Sequence, residues 1–165
     1  METLLVSPLR PRQIIAGKVA PYLAIGFISA VGVIIEARVV FGVPLRGSVL
    51  LLLFEALLFI LVSLALGIFI STRTSSQRVA MLAALVGTML PTMLLSGFVF
   101  PIESMPLALR IVSNIVPARW FIVVARAIML KGVGLDYLWQ ETLILTIMAA
   151  ALLSLSTRSL RARLD

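Results

Sequence analysis

Four long apolar runs, at about 19–41, 48–70, 79–100 and 137–157, constrain this chain more than any other feature. A hydrocarbon core about 30 Å thick needs ~20 consecutive apolar residues in a helix, and each run reaches that length. The reading that follows is an all-α integral membrane protein with about four transmembrane helices. Composition agrees. Hydrophobic residues make up 61% of the chain and charged ones 13%, too few polar side chains to coat a water-soluble fold. Cys and His are both absent, which removes the commonest transition-metal ligands and the usual nucleophile and base.

The formal charge of +7 does not point to nucleic acid, because the bases fall in short clusters between apolar runs instead of forming one stripe. Four spans place both termini on one side. That side holds Arg10, Arg12, Lys18, Arg73, Arg78, Arg158, Arg161 and Arg163, against Arg38, Arg46, Arg110, Arg119, Arg126 and Lys131 on the other. Eight bases against six put the termini in the cytoplasm by the positive-inside rule. A cleavable signal is the alternative for the first 35 residues. The length of the first run, the lack of a small-x-small cleavage site and the three runs behind it argue against one.

Inside the runs, a few residues break the apolar pattern. Glu36 and Arg38 stand near the end of the first, where they snorkel or pair at the interface. Glu55 lies well inside the second. An acid there costs at least ~2.5 kcal/mol on insertion scales, so it either lines a pathway or pairs with Arg38 or Arg46. Pro91 should kink the third run, and Tyr137 with Trp139 suits a headgroup boundary at the start of the fourth. Small residues four apart (Gly26 and Ala30, Ser63 and Gly67, Ala83 and Gly87) allow close helix approach in lipid.

Residues 101–136 are apolar but cut by Arg110, Arg119 and Arg126 and divided by Pro101, Pro106 and Pro117. They read as two short helices lying at or dipping into one membrane face, with a fifth span as the alternative. The block LLSGFVFPIESMP, with Gly97 and two prolines flanking Glu103, suits a chain that turns and re-enters. Arg119 and Arg126 are placed to snorkel, or to meet lipid headgroups or an anionic substrate. At the N-terminus, Leu4, Leu5 and Leu9 oppose Glu2, Thr3, Arg10 and Arg12, and Pro8 breaks the helix; a short amphipathic segment precedes the first run. The pair Gly17-Lys18 lacks the remaining residues of a phosphate-binding loop, since Arg12 and Val19 occupy the other key positions. Any ATP hydrolysis therefore belongs to a partner.

METLLVSPLRPRQIIAGKVAPY, VFGVPLRGS, LLSGFVFPIESMP and IVPARWFIVVARAIMLKGVGL together resemble the ABC type-2 transporter permeases, in particular their bacterial multidrug and antibiotic export branch. The resemblance covers the whole chain in order. It implies one transmembrane permease domain over 1–165, dimerised with a second permease copy, homo- or heterodimeric, in a bacterial or archaeal plasma membrane. It also implies an ABC ATP-binding subunit as partner, which uses ATP and magnesium, with no cofactor bound by this chain. Residues 1–18 resemble the family's cytoplasmic coupling segment, with that role falling on Glu2, Thr3, Leu4, Leu5, Pro8 and Leu9. The re-entrant region falls on Gly97, Pro101, Glu103, Met105, Pro106 and Pro117, in an extracytoplasmic segment 101–136.

Family members usually have six spans, so Met1 reads as an internal methionine and the chain as the C-terminal two thirds of a permease. The implied function is export of a hydrophobic or amphiphilic compound (drug, lipid or glycan-lipid) by alternating access. Two other classes are weighed. A membrane-bound lipid enzyme would need convergent acids and bases, and Glu36, Glu55, Glu103 and Asp136 do not obviously converge. A non-transporting assembly or regulatory subunit, or a truncated permease fragment, is the alternative.

Overall fold

The structure, a computed structural model, describes residues 11–74 and 76–164, with side chains at 17, 19–74 and 76–157. The segment holding Glu2, Thr3, Leu4, Leu5, Pro8 and Leu9 lies outside the described residues. Among the described residues every regular element is a helix: α1 Pro11–Val39, α2 Val49–Arg73, α3 Gln77–Leu95, α4 Leu107–Ser113, α5 Pro117–Lys131 and α6 Leu135–Leu164. Four of these helices contain segments long and apolar enough to cross a membrane: Val19–Val39, Val49–Arg73, Gln77–Leu95 and Leu135–Thr157. The chain is an all-α integral membrane protein.

Local chemistry sets the helix ends. Ser48 and Ser76 cap α2 and α3, each accepting a backbone N–H three residues on, from Leu51 and Val79. Pro117 starts α5 at a position where its missing N–H costs nothing. The third apolar run was expected to stay helical to residue 100, but α3 stops at Leu95. Ser96 accepts the Phe98 N–H at 3.3 Å, and Gly97 takes a left-handed φ of +81° that ends the helix. Pro91 is absorbed within α3 by a wide π-type turn, Leu85–Met89, just before it.

Two hydrogen-bonded contacts, 87 and 91 residues apart in sequence, fix the relative direction of α2 and α6. Glu55 meets Thr142, and Ala65 meets Ser156. Both partners advance together along the chain, so α2 and α6 run parallel. Four crossings give that parallel order. With α3 returning from the short turn after α2, a crossing by α4 and α5 would leave α6 antiparallel to α2.

The α4–α5 pair is bent by 83°, close to a right angle, at the break between Ser113 and Pro117. Its second arm climbs along α2 in the reverse sense. Phe121 stacks on Phe59 with ring centroids 4.6 Å apart, Val124 and Ile128 share a buried cluster with Leu52 and Leu138, and the Arg46 N–H donates to the Met129 carbonyl at 3.1 Å.

The core centres on α2, which buries Leu52, Glu55, Ala56, Val62 and Ala65. By contrast α3 buries none of its residues, and α1 is open over most of its apolar surface. In lipid such faces carry no hydrophobic penalty, and association rests on close packing and interhelical hydrogen bonds. Close approach occurs at one of the small-residue pairs: a Cβ on Gly26 would stand 3.0 Å from Ile60 Cγ2, whereas Gly67 and Gly87 face open space.

Candidate functional site

Three features stand out where helices meet. The first is the α2–α6 seam. Glu55 sits two turns below the Ser48 cap, on the face of α2 that α6 covers, and is 0% exposed. It does not pair with Arg38 or Arg46, as the sequence suggests. Arg38 donates to the Val43 carbonyl at 3.3 Å, and Glu55 faces away from that turn toward α6.

Its Oε1 lies within hydrogen-bond reach of Thr142 Oγ1, which also stands 2.9 Å from the Leu138 carbonyl. Glu55 Oε2 and the neighbouring Glu141 Oε2 are buried with no hydrogen-bond partner. About 15 Å further along α2, by ~1.5 Å per residue, Ser156 Oγ donates to the Ala65 carbonyl at 3.0 Å. Thr142, Glu141 and Ser156 escape sequence reasoning because polar residues near the ends of an apolar helix carry no sign of which neighbour they face.

The second feature is the hairpin tip between α4 and α5. Arg119 Nη1 donates to Ser113 Oγ and, at 3.3 Å, to the Arg110 carbonyl, tying the start of α5 to the last turn of α4. Trp120 Nε1 donates to the Asn114 carbonyl at 2.9 Å, and the Arg119 guanidinium lies 5.2 Å from the Trp120 ring centroid. Arg119 therefore closes the bend instead of presenting a free charge. Arg126, three turns from that tip in α5, is exposed.

The third is an apolar cavity of about 540 Å³ between the C-terminal half of α3 and the segment leading into α4. Pro101, Met105 and Pro106 line it with Leu90, Leu94 and Phe100, and Ser104 is its one polar side chain. Gly97 forms the turn that brings these residues back over α3, and a Cβ there would approach Ile102 to 3.1 Å. Glu103, in the short 3-10 turn Ile102–Ser104, is exposed and does not line the cavity, while Pro117 opens the opposite arm of the hairpin. A cavity so lined accepts an apolar group and offers little to hold a charge. Among the described residues no group of three or more acidic, His or Cys side chains is placed to hold a metal ion.

Residues 1–158 match the family model described as ABC-2 family transporter protein. The chain is 35% identical over its whole length to the probable multidrug ABC transporter permease YbhS of Escherichia coli K12, covering 44% of that protein. It is 35% identical over 141 residues to the probable multidrug ABC transporter permease YbhR of the same strain, 86% of this chain and 38% of the relative. It is 30% identical over 158 residues to the inner membrane transport permease YhhJ of E. coli K12, 94% of this chain and 42% of the relative. The chain thus spans less than half the length of the curated relatives it matches, a smaller share than the two thirds its sequence suggests. No solved structure matches it at comparable significance.

Proposed function

The chain belongs to the ABC-2 transporter family, and from that premise we propose that it works as part of the membrane-embedded permease of an ATP-driven exporter. The observation that carries this reading is the match over residues 1–158, joined to relatives named as multidrug permeases. A separate ATP-binding subunit, using ATP and magnesium, supplies the energy. A second permease copy completes the substrate path, and the assembly lies in a bacterial or archaeal plasma membrane with both termini of this chain in the cytoplasm.

The cargo is a hydrophobic or amphiphilic compound. The apolar cavity beside Pro101 and Pro106 supports that class, since its lining rewards burial of an apolar group. Transport proceeds by alternating access: nucleotide binding closes the partner's ATPase dimer, and the contact made by Glu2, Thr3, Leu4, Leu5, Pro8 and Leu9 passes the change to the spans. Coupling of this kind requires that the contact differ between the two states of the motor.

The test is export into inverted membrane vesicles that hold this chain together with its ATP-binding subunit, using an amphiphilic fluorescent dye. Uptake driven by ATP, and lost when the ATPase is inactivated, is the expected result. Leu5→Asp and Pro8→Ala should lower ATP-dependent uptake by about tenfold while the subunits still associate. Dye movement indifferent to ATP overturns the exporter reading, and full uptake by both variants removes the coupling role.

A further inference from the structure

An ionised Glu55 would find at most one donor at the α2–α6 seam, the Thr142 hydroxyl, for its two oxygens. Thr142 Oγ1 has one hydrogen and two acceptors beside it, the Leu138 carbonyl at 2.9 Å and Glu55 Oε1. A carbonyl only accepts. If the threonine hydrogen serves Leu138, the hydrogen between Oγ1 and Oε1 has to come from Glu55.

Three further observations agree. Glu55 is fully buried, and its second oxygen has no donor. Glu141, on the same turn of α6 as Thr142, adds another buried carboxyl oxygen without a donor. Among the described residues the charged group that acts on Glu55 is Glu141, a second acid. Two ionised carboxylates in this surrounding would repel each other, with the Thr142 hydroxyl the one donor recorded for Glu55. A metal ion is a poor remedy, because a hard cation such as calcium takes about six to eight oxygens and the seam offers two carboxyls and a hydroxyl.

We propose that the α2–α6 seam is an intramembrane proton-binding site, in which Glu55 is a neutral carboxylic acid that donates from Oε1 to Thr142 Oγ1, which in turn donates to the Leu138 carbonyl. Closing the seam over an ionised Glu55 takes up one proton from water, and opening it returns that proton to water. The site stands on the hydrogen count and on burial. It does not depend on the exporter reading, so its failure and that reading's failure are separable.

The test is infrared difference spectroscopy of the chain in phosphatidylcholine vesicles at pH 7, in the carboxylic-acid C=O stretch region. One band should vanish in Glu55→Gln, survive in Glu141→Gln, and move to higher frequency in Thr142→Val, which keeps the acid and removes its acceptor; Thr142→Ser should leave it in place. A spectrum unchanged by Glu55→Gln overturns the proposal, as does a band lost in Glu141→Gln and kept in Glu55→Gln. Should Glu55→Gln fail to fold, Thr142→Val decides alone: an unmoved acid band overturns the donor chain.

Discussion

A single methyl group at Gly47 should loosen the join between the α1–α2 turn and the top of α5. A Cβ built there would lie 2.6 Å from the Ile128 carbonyl oxygen and 2.9 Å from Ile128 Cγ2, and 3.3 Å from the backbone of Gly132. The first of these is backbone inside a helix, so it cannot swing aside as a flexible side chain would. Relief requires the turn and α5 to separate by a large part of an ångström.

Overpacking of this kind costs about 1–3 kcal/mol. The Arg46 N–H to Met129 carbonyl bond, one residue away, would lengthen as the gap opens, and losing it adds about 0.5–1.5 kcal/mol. Gly47→Ala should therefore destabilise the fold by about 2–4 kcal/mol. The assay is reversible unfolding of the chain in mixed micelles by added denaturing detergent, followed by circular dichroism. Gly67→Ala is the control, because a Cβ at Gly67 meets nothing within 4 Å; it should raise stability by about 0.5–1 kcal/mol through the helix preference of alanine. Gly47→Ala within ~0.5 kcal/mol of the parent, or equal damage from both substitutions, would refute the reasoning.

The same assay applied to Phe59→Leu, Phe121→Leu and the double variant should give a coupling energy of about 0.5–1.5 kcal/mol for the stacked rings, and a coupling near zero would show that the contact adds nothing beyond its bulk. Arg119→Met removes the guanidinium that makes two of the hydrogen bonds across the α4–α5 bend, so a cysteine placed at Asn114 should react several-fold faster with a water-soluble maleimide than in the parent background. Arg119→Lys should restore only part of the protection, since an ammonium cannot reproduce the guanidinium fork; equal labelling in all three backgrounds would refute the clamp.

The helices themselves were legible because lipid turns length and hydropathy into near-sufficient evidence for a span. The division into short helices was legible from Pro101, Pro106 and Pro117 and from Arg110, Arg119 and Arg126. Ends and partners were not. The early stop at Leu95 depends on Gly97 taking a positive φ, which the apolar FVF that follows conceals. Pro91 announced a distortion, yet whether a helix answers with a kink or a widened turn depends on the strain its neighbours allow.

Glu55 was visible as costly. Its nearest bases in sequence are Arg38 and Arg46, but its partner is Thr142 on α6, because the rotation of one helix against another depends on the whole packed seam. Likewise Gly26 contacts Ile60 while Gly67 and Gly87 meet nothing, although the three small-residue pairs look alike on paper.

Parallel spans cannot form as a hairpin, and this has a consequence in time. Glu55 is separated from Thr142 by 87 residues, and a ribosome adding about 5–20 residues per second takes roughly 4–17 s to make that stretch. Throughout that interval α2 is already in the bilayer with its carboxyl uncovered, held there by the apolar residues on either side of it. The seam closes last, after α3, α4 and α5 have been made, so the final apposition of α6 is the step at which a newborn chain either hides this acid or leaves it facing lipid.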